Sequence, residues 1–401
     1  VLMLMIIGII IGPVLNLVTP ESFGIVTGIF TTITLVFILF QGGLDLRFET
    51  MQSALRGMTF ITCTNFGATT LVVGLIAWLL LGLEPIPAFT LGAILGGTSS
   101  AVVIPLVKQL KLQESARTIL VLESALSDVL CIVFVLALIQ AYSADGIRVG
   151  AIIGSIISSF TLAALLGIVS ALLWSVLLAK IRTIKNSMFT TPAFVFVIYG
   201  IAEVLGFSGA IAALAFGVTL ANIDRFRFKT IQRLVNRGMN TFNDSEKQFF
   251  SEIVFLLKTF FFVFIGISIQ FTNGWALLFG FFITIVIYIL RIPVVKFSIY
   301  EALPTIDLTI MSTMAPKGLA AAVLASLPLQ YGLPSGEMIR DLTYAVILTS
   351  IVLTSILIPV LEKVPAVSAF YGAIIRKGRR IKTHPRPALD ETPKSNQLTE
   401  T

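Results

Sequence analysis

A carboxylate lies in the middle of an apolar run that is long enough to cross a lipid bilayer. The run spans residues 116–141, with Asp128 near its centre and Glu123 five positions earlier. An ionised Asp at that depth costs at least about 2.5 kcal/mol on insertion scales, because hydrocarbon does not solvate its charge. Such a group is retained only where something binds to it, so Asp128 is the leading candidate for a functional residue.

The composition predicts an all-α polytopic membrane protein. Of the 401 residues, 12% are charged and 56% are hydrophobic, whereas soluble domains carry about 25% charged residues. A hydropathy pass predicts twelve transmembrane helices, with longer connections at 45–55 and 223–248. The predicted spans are 1–18, 24–44, 56–82, 87–108, 116–141, 149–179, 189–204, 208–222, 249–270, 274–294, 307–329 and 341–361.

The distribution of Lys and Arg predicts the orientation. When the connections are assigned alternately to the two sides, nearly all basic residues fall on one side, and the other side holds Arg148 and Arg340. The positive-inside rule makes the basic side, with the C-terminus, cytoplasmic. The net charge of +7 is then mostly a signal of topology, and no nucleic-acid partner is expected. Loop 223–248 is expected to face solvent and lipid headgroups, with a regulatory role as the alternative.

The sequence offers no set of residues for a cofactor, a resident metal or enzyme chemistry. Cys63 and Cys131 lie in apolar runs at no metal-ligand spacing, and the single histidine, His384, is in the polar tail. Serines near Asp128 could suggest an intramembrane enzyme, but no HExxH or GxSxG motif is present. A cation channel is a third class, but we find no segment resembling a selectivity filter. A transporter is therefore expected.

Two predicted spans contain helix-breaking clusters at membrane depth. The fourth span carries GGTSS at 96–100, and the eleventh carries PKG at 316–318. Gly, Ser and Pro also serve helix packing. These clusters, however, occupy the second position of two three-span groups whose topologies are opposite. Matched interruptions mark the substrate site of transporters built from inverted repeats, so we expect two interrupted helices that cross beside Asp128.

Oxygen atoms around Asp128 predict a site for a hard cation. Ser124 lies one turn earlier on the same face, and Thr98 and carbonyl groups of the interrupted span can supply further ligands. Burial disfavours the ionised carboxyl, so a proton and a cation compete for the same oxygens. If only the neutralised site crosses, exchange of one cation per proton follows, without net charge movement. Lys317 could alter that balance as a second titrating group.

Glu123 needs a different partner, since it lies about 140° around the helix from Asp128. Arg291 in the tenth span is at matching depth, and we predict a Glu123–Arg291 ion pair with a structural or gating role. The alternative is that Arg291 reaches the interface instead. Lys317 is expected to offset partial charges where the helix halves meet. The remaining intramembrane ionisable residues are expected in local pairs or at the interface: Glu203, Glu252 and Lys258.

These segments resemble the monovalent cation/proton antiporters of the NhaP and sodium/proton-exchanger type. The resemblance covers nearly the whole chain and is carried by GIIIGPVLNLV, LFQGGLDLR, GAILGGTSSAVVIPL, ESALSDVL, FNDSEKQFF, FVFIGISI, YILRIPVVK and PKGLAAAVLASLPL. It implies exchange of Na⁺, Li⁺ or K⁺ for H⁺ with Asp128 as the exchange carboxylate and Glu123 paired with Arg291. It places Lys317 at a basic position of the second crossing helix. The residues it implies around the ion are Asp128, Ser124, Thr98, Ser127 and Ser99.

The resemblance also implies an architecture. It predicts thirteen spans with the first lying upstream of this sequence, a homodimer in a prokaryotic plasma membrane, and an elevator-like movement of a core against a dimer scaffold. The implied division is scaffold helices in 1–50 and 187–272, core halves in 51–145 and 273–365, a linker helix in 146–186 and a basic, disordered cytoplasmic tail in 366–401.

Two departures from the family pattern bear on ion choice. The TDP of the family's first crossing helix is Thr98-Ser99-Ser100 here, and the Asn before the key Asp is Ser127. Fewer fixed charges near the site leave the choice among Na⁺, Li⁺ and K⁺ open. A K⁺-selective exchanger of the same fold is the alternative expectation.

Overall fold

The computed structural model describes residues 1–46, 48–143, 149–181, 190–223, 244–269, 274–299 and 303–376. All regular structure within these ranges is helical, which confirms the all-α prediction. Residues 224–243 of the predicted loop and 377–401 of the predicted tail lie outside the described residues, whereas 244–248 and 366–376 are helical. The helices are α1 Leu2–Ile9, α2 Gly24–Asp45, α3 Phe48–Leu80, α4 Pro85–Ile94, α5 Ser100–Gln109, α6 Glu114–Ser143, α7 Val149–Ile181, α8 Thr190–Val204, α9 Gly209–Ala221, α10 Asp244–Ser268, α11 Gly274–Ser298, α12 Thr305–Thr313, α13 Leu319–Gln330, α14 Gly336–Lys363 and α15 Pro365–Arg376.

Six of the described helices are long and apolar enough to cross a membrane: α3, α6, α7, α10, α11 and α14. Seven further apolar segments are shorter, among them α4, α5, α8, α9 and α13. The count of twelve spans stays a prediction. The connection expected at 45–55 is wrong in one respect, because α3 begins at Phe48. Hydropathy measures transfer into lipid, and the polar, helix-forming residues of 48–56 are invisible to it.

The helices pack mainly in two groups. In the first helix group, α3 packs against α4 and α6, α11 packs against α3 and α14, and α12 and α13 lie among them with α5 and α15. In the second helix group, α9 packs against α2, α7 and α8, while α10 packs against α1. Contacts between the groups are fewer and run chiefly from α6 and α13 to α2, α7 and α10. This arrangement leaves a seam beside α6.

Glycine sets the separation of α2 and α9. A Cβ added at Gly43 would lie 2.5 Å from the carbonyl oxygen of Leu214, and one at Gly217 would lie 2.3 Å from that of Phe40. Both distances are too short for a side chain, so the two backbones touch directly. Small residues allow such close approach in membranes, where dispersion contacts replace hydrophobic association. This contact anchors the side of the seam that lies opposite α6.

Replacing Gly43 with Ala is expected to lower the free energy of unfolding by about 1–3 kcal/mol, because the added methyl group forces α2 and α9 apart. Thermal unfolding in detergent measures the effect. Gly42→Ala is the matched control, since a Cβ at Gly42 meets no atom within 4 Å and gains the same helix propensity. Equal unfolding temperatures for the two variants would contradict the packing argument.

Candidate functional site

Two breaks in helical structure meet inside the first helix group. The chain leaves helical geometry between α4 and α5, and again between α12 and α13. The backbone N–H of Ser99 in the first break donates to the carbonyl oxygen of Pro316 in the second at 2.8 Å. A Cβ added at Gly318 would lie 1.9 Å from Ser99 Oγ, so only glycine permits this approach. Each break thus satisfies backbone groups that the other leaves exposed.

Lys317 joins the two breaks. Its side chain is 1% exposed, and Nζ donates to the carbonyl oxygen of Gly97 at 2.7 Å. Its backbone N–H donates to Ser350 Oγ on α14 at 3.0 Å. An ammonium on a carbonyl freed by a helix end is favourable, because that end carries partial negative charge. Lys317 therefore lies where the two breaks meet. It is not among the residues that line the cavity described next.

Asp128 lies on α6 at a cavity of about 310 Å³. Ser100 Oγ, at the first residue of α5, donates to Asp128 Oδ2 at 3.0 Å. Asp128 is half-buried, whereas the polar residues Glu123, Ser124 and Ser127 on the same helix are buried. Ser100 was absent from the predicted ion-binding residues. Its position as the first residue after a break is the signal that could have identified it.

The cavity lies in the seam between the two helix groups. Its lining combines α5, α6 and α13 from the first group with α2, α9 and α10 from the second. From Asp128 it extends along α6 to Val121, along α5 to Ile104 and along α2 to Gly42. These are the halves of the three helices nearest the predicted cytoplasmic connections. The cavity thus extends from Asp128 toward the side that the charge distribution predicts to be cytoplasmic.

The hydroxyl of Ser99 is a second polar feature of this cavity. Ser99 lines it, yet the side chain is 3% exposed, and Oγ has no hydrogen-bond partner within the described part of the chain. An unpartnered buried hydroxyl costs free energy, about 1–3 kcal/mol by mutational data. An oxygen left in this condition next to Asp128 is suited to ligate a cation.

The other three predicted ion-binding residues, Ser124, Ser127 and Thr98, make hydrogen bonds away from the Asp128 carboxylate. Ser124 Oγ donates to the carbonyl oxygen of Val121 at 2.8 Å, and no contact with the Asp128 carboxylate is seen in the described ranges. Ser127 Oγ accepts the backbone N–H of Thr98 at 3.0 Å. None of these three predicted side chains lines the cavity. Hydroxyls on helices readily bond to carbonyls of the preceding turn, and sequence spacing alone does not reveal that competition.

Glu123 and Arg291 form a buried ion pair between α6 and α11. Each residue is 1% exposed, and two guanidinium nitrogens donate to the two carboxylate oxygens, with Nη2 to Oε2 at 2.6 Å. Arg291 Nε also donates to the carbonyl oxygen of Met311 on α12 at 3.2 Å. This bidentate geometry suits a desolvated pair. Arg291 therefore does not extend to the interface, and Glu123 is not available to the cavity.

Neutralising one partner of this pair, in Glu123→Gln or Arg291→Met, is expected to cost about 3–5 kcal/mol, because the other charge stays buried and unpaired. The charge-exchanged double variant Glu123→Arg/Arg291→Glu is expected to recover part of the loss. Thermal unfolding in detergent measures both. Glu114→Gln is the control, since its pair with Arg117 at 3.4 Å is exposed and contributes little. Single variants as stable as the parent would refute a structural role.

The remaining intramembrane ionisable residues divide into two kinds. Glu203 accepts the backbone N–H of Gly209 at the start of α9 at 2.8 Å, and Glu252 accepts from Gln248 at 3.2 Å. Both contacts are local, as expected from the sequence. Lys258 on α10 instead lines the cavity that holds Asp128. The sequence predicts a local pair or an interfacial position for Lys258, and the structure places it at the cavity instead.

Comparisons with known proteins bear on the family. The model of the family described as "Sodium/hydrogen exchanger, transmembrane" matches residues 1–363. The chain is 24% identical over 325 residues to the K(+)/H(+) antiporter NhaP2 of Shewanella oneidensis, covering 79% of this chain and 54% of the relative. It is 26% identical over 328 residues to the NhaP2 of Shewanella baltica, covering 80% and 54%. The chain thus spans about half the length of the curated relatives it matches.

The fold is similar to that of the sodium proton antiporter MjNhaP1 from Methanocaldococcus jannaschii. Its structure at pH 8 superposes with a TM-score of 0.71 at 19% identity, covering 88% of this chain and 92% of that chain. A structure of the same antiporter from an electron microscopy map gives a TM-score of 0.64 and covers 95% and 92%. At this identity the likeness concerns the fold.

Proposed function

The chain belongs to the sodium/hydrogen exchanger family of multi-pass membrane proteins, and we propose that it exchanges a monovalent cation for H⁺ at Asp128. The observation that carries the proposal is the half-buried Asp128 carboxylate at the end of a cavity between two helix groups. Ser100 donates a hydrogen bond to one carboxylate oxygen. The Ser99 hydroxyl lines the same cavity and has no hydrogen-bond partner among the described residues. These oxygens suit a hard cation.

Competition between the two ions at one carboxylate provides the coupling. A proton and a metal cation need the same oxygens of Asp128, so binding of one displaces the other. The neutralised site can cross the low-dielectric region, whereas the bare anion would lose its solvation in doing so. Each crossing therefore carries either a cation or a proton. Alternation of the two gives antiport.

A single exchanging carboxylate implies one cation per proton. Lys317 could change this ratio if it released its proton during the cycle. Its ammonium instead donates a hydrogen bond to the Gly97 carbonyl oxygen, which favours the charged form, and it does not line the cavity. Exchange is then electroneutral. If one net charge moved per cycle, the membrane potential would bias each cycle by about 2.3 kcal/mol per 100 mV.

The two helix groups suggest how the site reaches both sides. The first helix group holds Asp128 and the two breaks, and it is proposed as the moving core in 51–145 and 273–365. The second corresponds to the predicted scaffold in 1–50 and 187–272, with α7, in the predicted linker 146–186, packed on α9. Rigid movement of the first group along the seam would transfer Asp128 from one face to the other, as in an elevator. A homodimer through the second group, in a prokaryotic plasma membrane with a cytoplasmic C-terminus, completes the proposal.

The transported cation is proposed as Na⁺, Li⁺ or K⁺, with a K⁺/H⁺ exchanger as a specific second candidate. The observation in favour of K⁺ is that relatives of similar sequence are named K(+)/H(+) antiporters. A hydroxyl at Ser99, in place of the family's acid, also gives the site a weaker field. Weaker fields favour the larger, less strongly hydrated ion.

A cation channel is the alternative from another class, and it differs in a measurable way. An antiporter in proteoliposomes converts a cation gradient into a pH change at zero membrane potential. A channel dissipates the gradient and follows voltage. Flux with each of Na⁺, K⁺ and Li⁺, recorded with an internal pH dye, separates the two classes.

Asp128→Asn is expected to abolish cation-driven proton flux in proteoliposomes, because an amide neither titrates nor balances a cation's charge. The protein should still unfold near the parent temperature, since Asp128 is half-buried and bonded through one serine. Asp341→Asn is the matched control, as Asp341 pairs with Arg340 at 3.0 Å and does not line the cavity. Retained exchange in Asp128→Asn would remove Asp128 from its role.

Ser100→Ala is expected to raise the KM for the cation about tenfold, because a hydrogen bond to a charged group contributes about 1.5–3 kcal/mol. The maximal rate should change less, since Asp128 remains. Initial rates of proton release against cation concentration give both values. Ser326→Ala, which removes a hydroxyl bonded to Val323 elsewhere on α13, should leave KM unchanged. An unchanged KM in Ser100→Ala would exclude the serine from the site.

A further inference from the structure

The cavity at Asp128 contains a fixed positive charge that the exchange mechanism above does not use. Lys258 lies in the middle of α10, is half-buried and lines the same cavity as Asp128. Lys258 and Asp128 line this cavity from opposite sides of the seam between the two helix groups. A lysine in the path of a transported cation opposes entry, since like charges repel strongly where water is scarce. Without Lys258 the site would bind cations more tightly, so its positive charge calls for another explanation.

The location of Lys258 separates it from the other lysine near the site. Lys317 belongs to the first helix group, as Asp128 does, and Gly97 in the same group accepts its ammonium. Lys258 belongs to the second group, where α10 packs on α1. Any movement of one group along the other keeps Lys317 with Asp128 and changes the separation of Asp128 from Lys258. Of these two lysines, it is therefore Lys258 whose distance from Asp128 depends on the position of the first group.

The charge of the site decides whether Lys258 attracts or repels it. With Asp128 ionised and empty, opposite charges line the cavity from the two sides of the seam, and their attraction favours this arrangement of the two groups. A proton on Asp128 removes that attraction. A bound cation removes it too and is itself repelled by the ammonium. The first group is therefore released when Asp128 carries a proton or a cation. These are the two states in which coupled exchange requires it to move.

We propose that Lys258 is a tethered counter-ion of the empty site, carried on the second helix group and displaced by the transported cation. It restrains the empty anionic carrier from crossing and so limits uncoupled leak. The inference rests on the proposed antiport and adds a positioning residue for that reaction. Lys258 takes no part in exchange chemistry, because the cation and the proton both bind at Asp128.

The test uses Lys258→Met, which keeps the length of the apolar stem and removes the charge. At alkaline pH, where protons do not compete, the KM for Na⁺ or Rb⁺ should fall at least about fivefold, as expected when a nearby like charge is removed. Tracer loss into cation-free medium, with the membrane potential clamped at zero, should rise relative to exchange. Lys258→Arg should restore both parameters, and Lys108→Met, outside the cavity, should change neither.

The outcomes are distinguishable. An unchanged or raised KM in Lys258→Met, with exchange in the parent protein, overturns the counter-ion role. A lowered KM that Lys258→Arg does not restore also overturns it, because packing rather than charge would then be responsible. Lys258→Gln provides the same measurement if the Met variant does not fold. Absence of exchange in the parent protein for Na⁺, K⁺ and Li⁺ would instead contradict the proposed antiport itself.

Discussion

The cost of leaving a polar group without a partner at membrane depth is the constraint on which this structure depends. Two helices end inside the first helix group and expose backbone groups that hydrocarbon would not satisfy. The breaks meet, so that Ser99 donates to Pro316 and the Lys317 ammonium binds the Gly97 carbonyl oxygen. Unwound backbone is thereby tolerated next to Asp128. The contact between the breaks also fixes the start of α5, where Ser100 donates to Asp128.

The same constraint explains why two acids on one helix have different fates. Glu123 is enclosed with Arg291, and both carboxylate oxygens accept from one guanidinium. Within the described residues, the Asp128 carboxylate accepts one side-chain hydrogen bond, from Ser100, and lies at the cavity. An acid saturated by a cationic side chain has no capacity for an ion. An acid that is half-satisfied retains that capacity, and it is the one suited to exchange.

The cavity is lined by residues from both helix groups, and this determines which charges near Asp128 lie on the same group. Asp128 and Lys258 line one cavity but belong to different groups, whereas Asp128 and Lys317 belong to the same one. Charges within a group keep their distance when the group moves, so they shape the site without sensing its position. In the proposed mechanism, a charge across the seam responds both to ion occupancy and to the position of the first helix group. This difference is a property of packing that no single helix contains.

The sequence by itself determined the helical membrane class, the family resemblance that the family model confirms, and the depth match of Glu123 with Arg291. These rest on hydropathy, helical periodicity and motif spacing, which are local properties of the chain. Only the tertiary structure decided that Ser100 rather than Ser124 bonds to Asp128, and that Lys258 shares its cavity. The physical reason is that contacts between segments far apart in sequence determine which of several acceptors a hydroxyl bonds to. The same contacts set the rotation of each helix about its axis. The periodicity of the sequence predicts which residues share a face of a helix, whereas packing determines which other helix that face contacts.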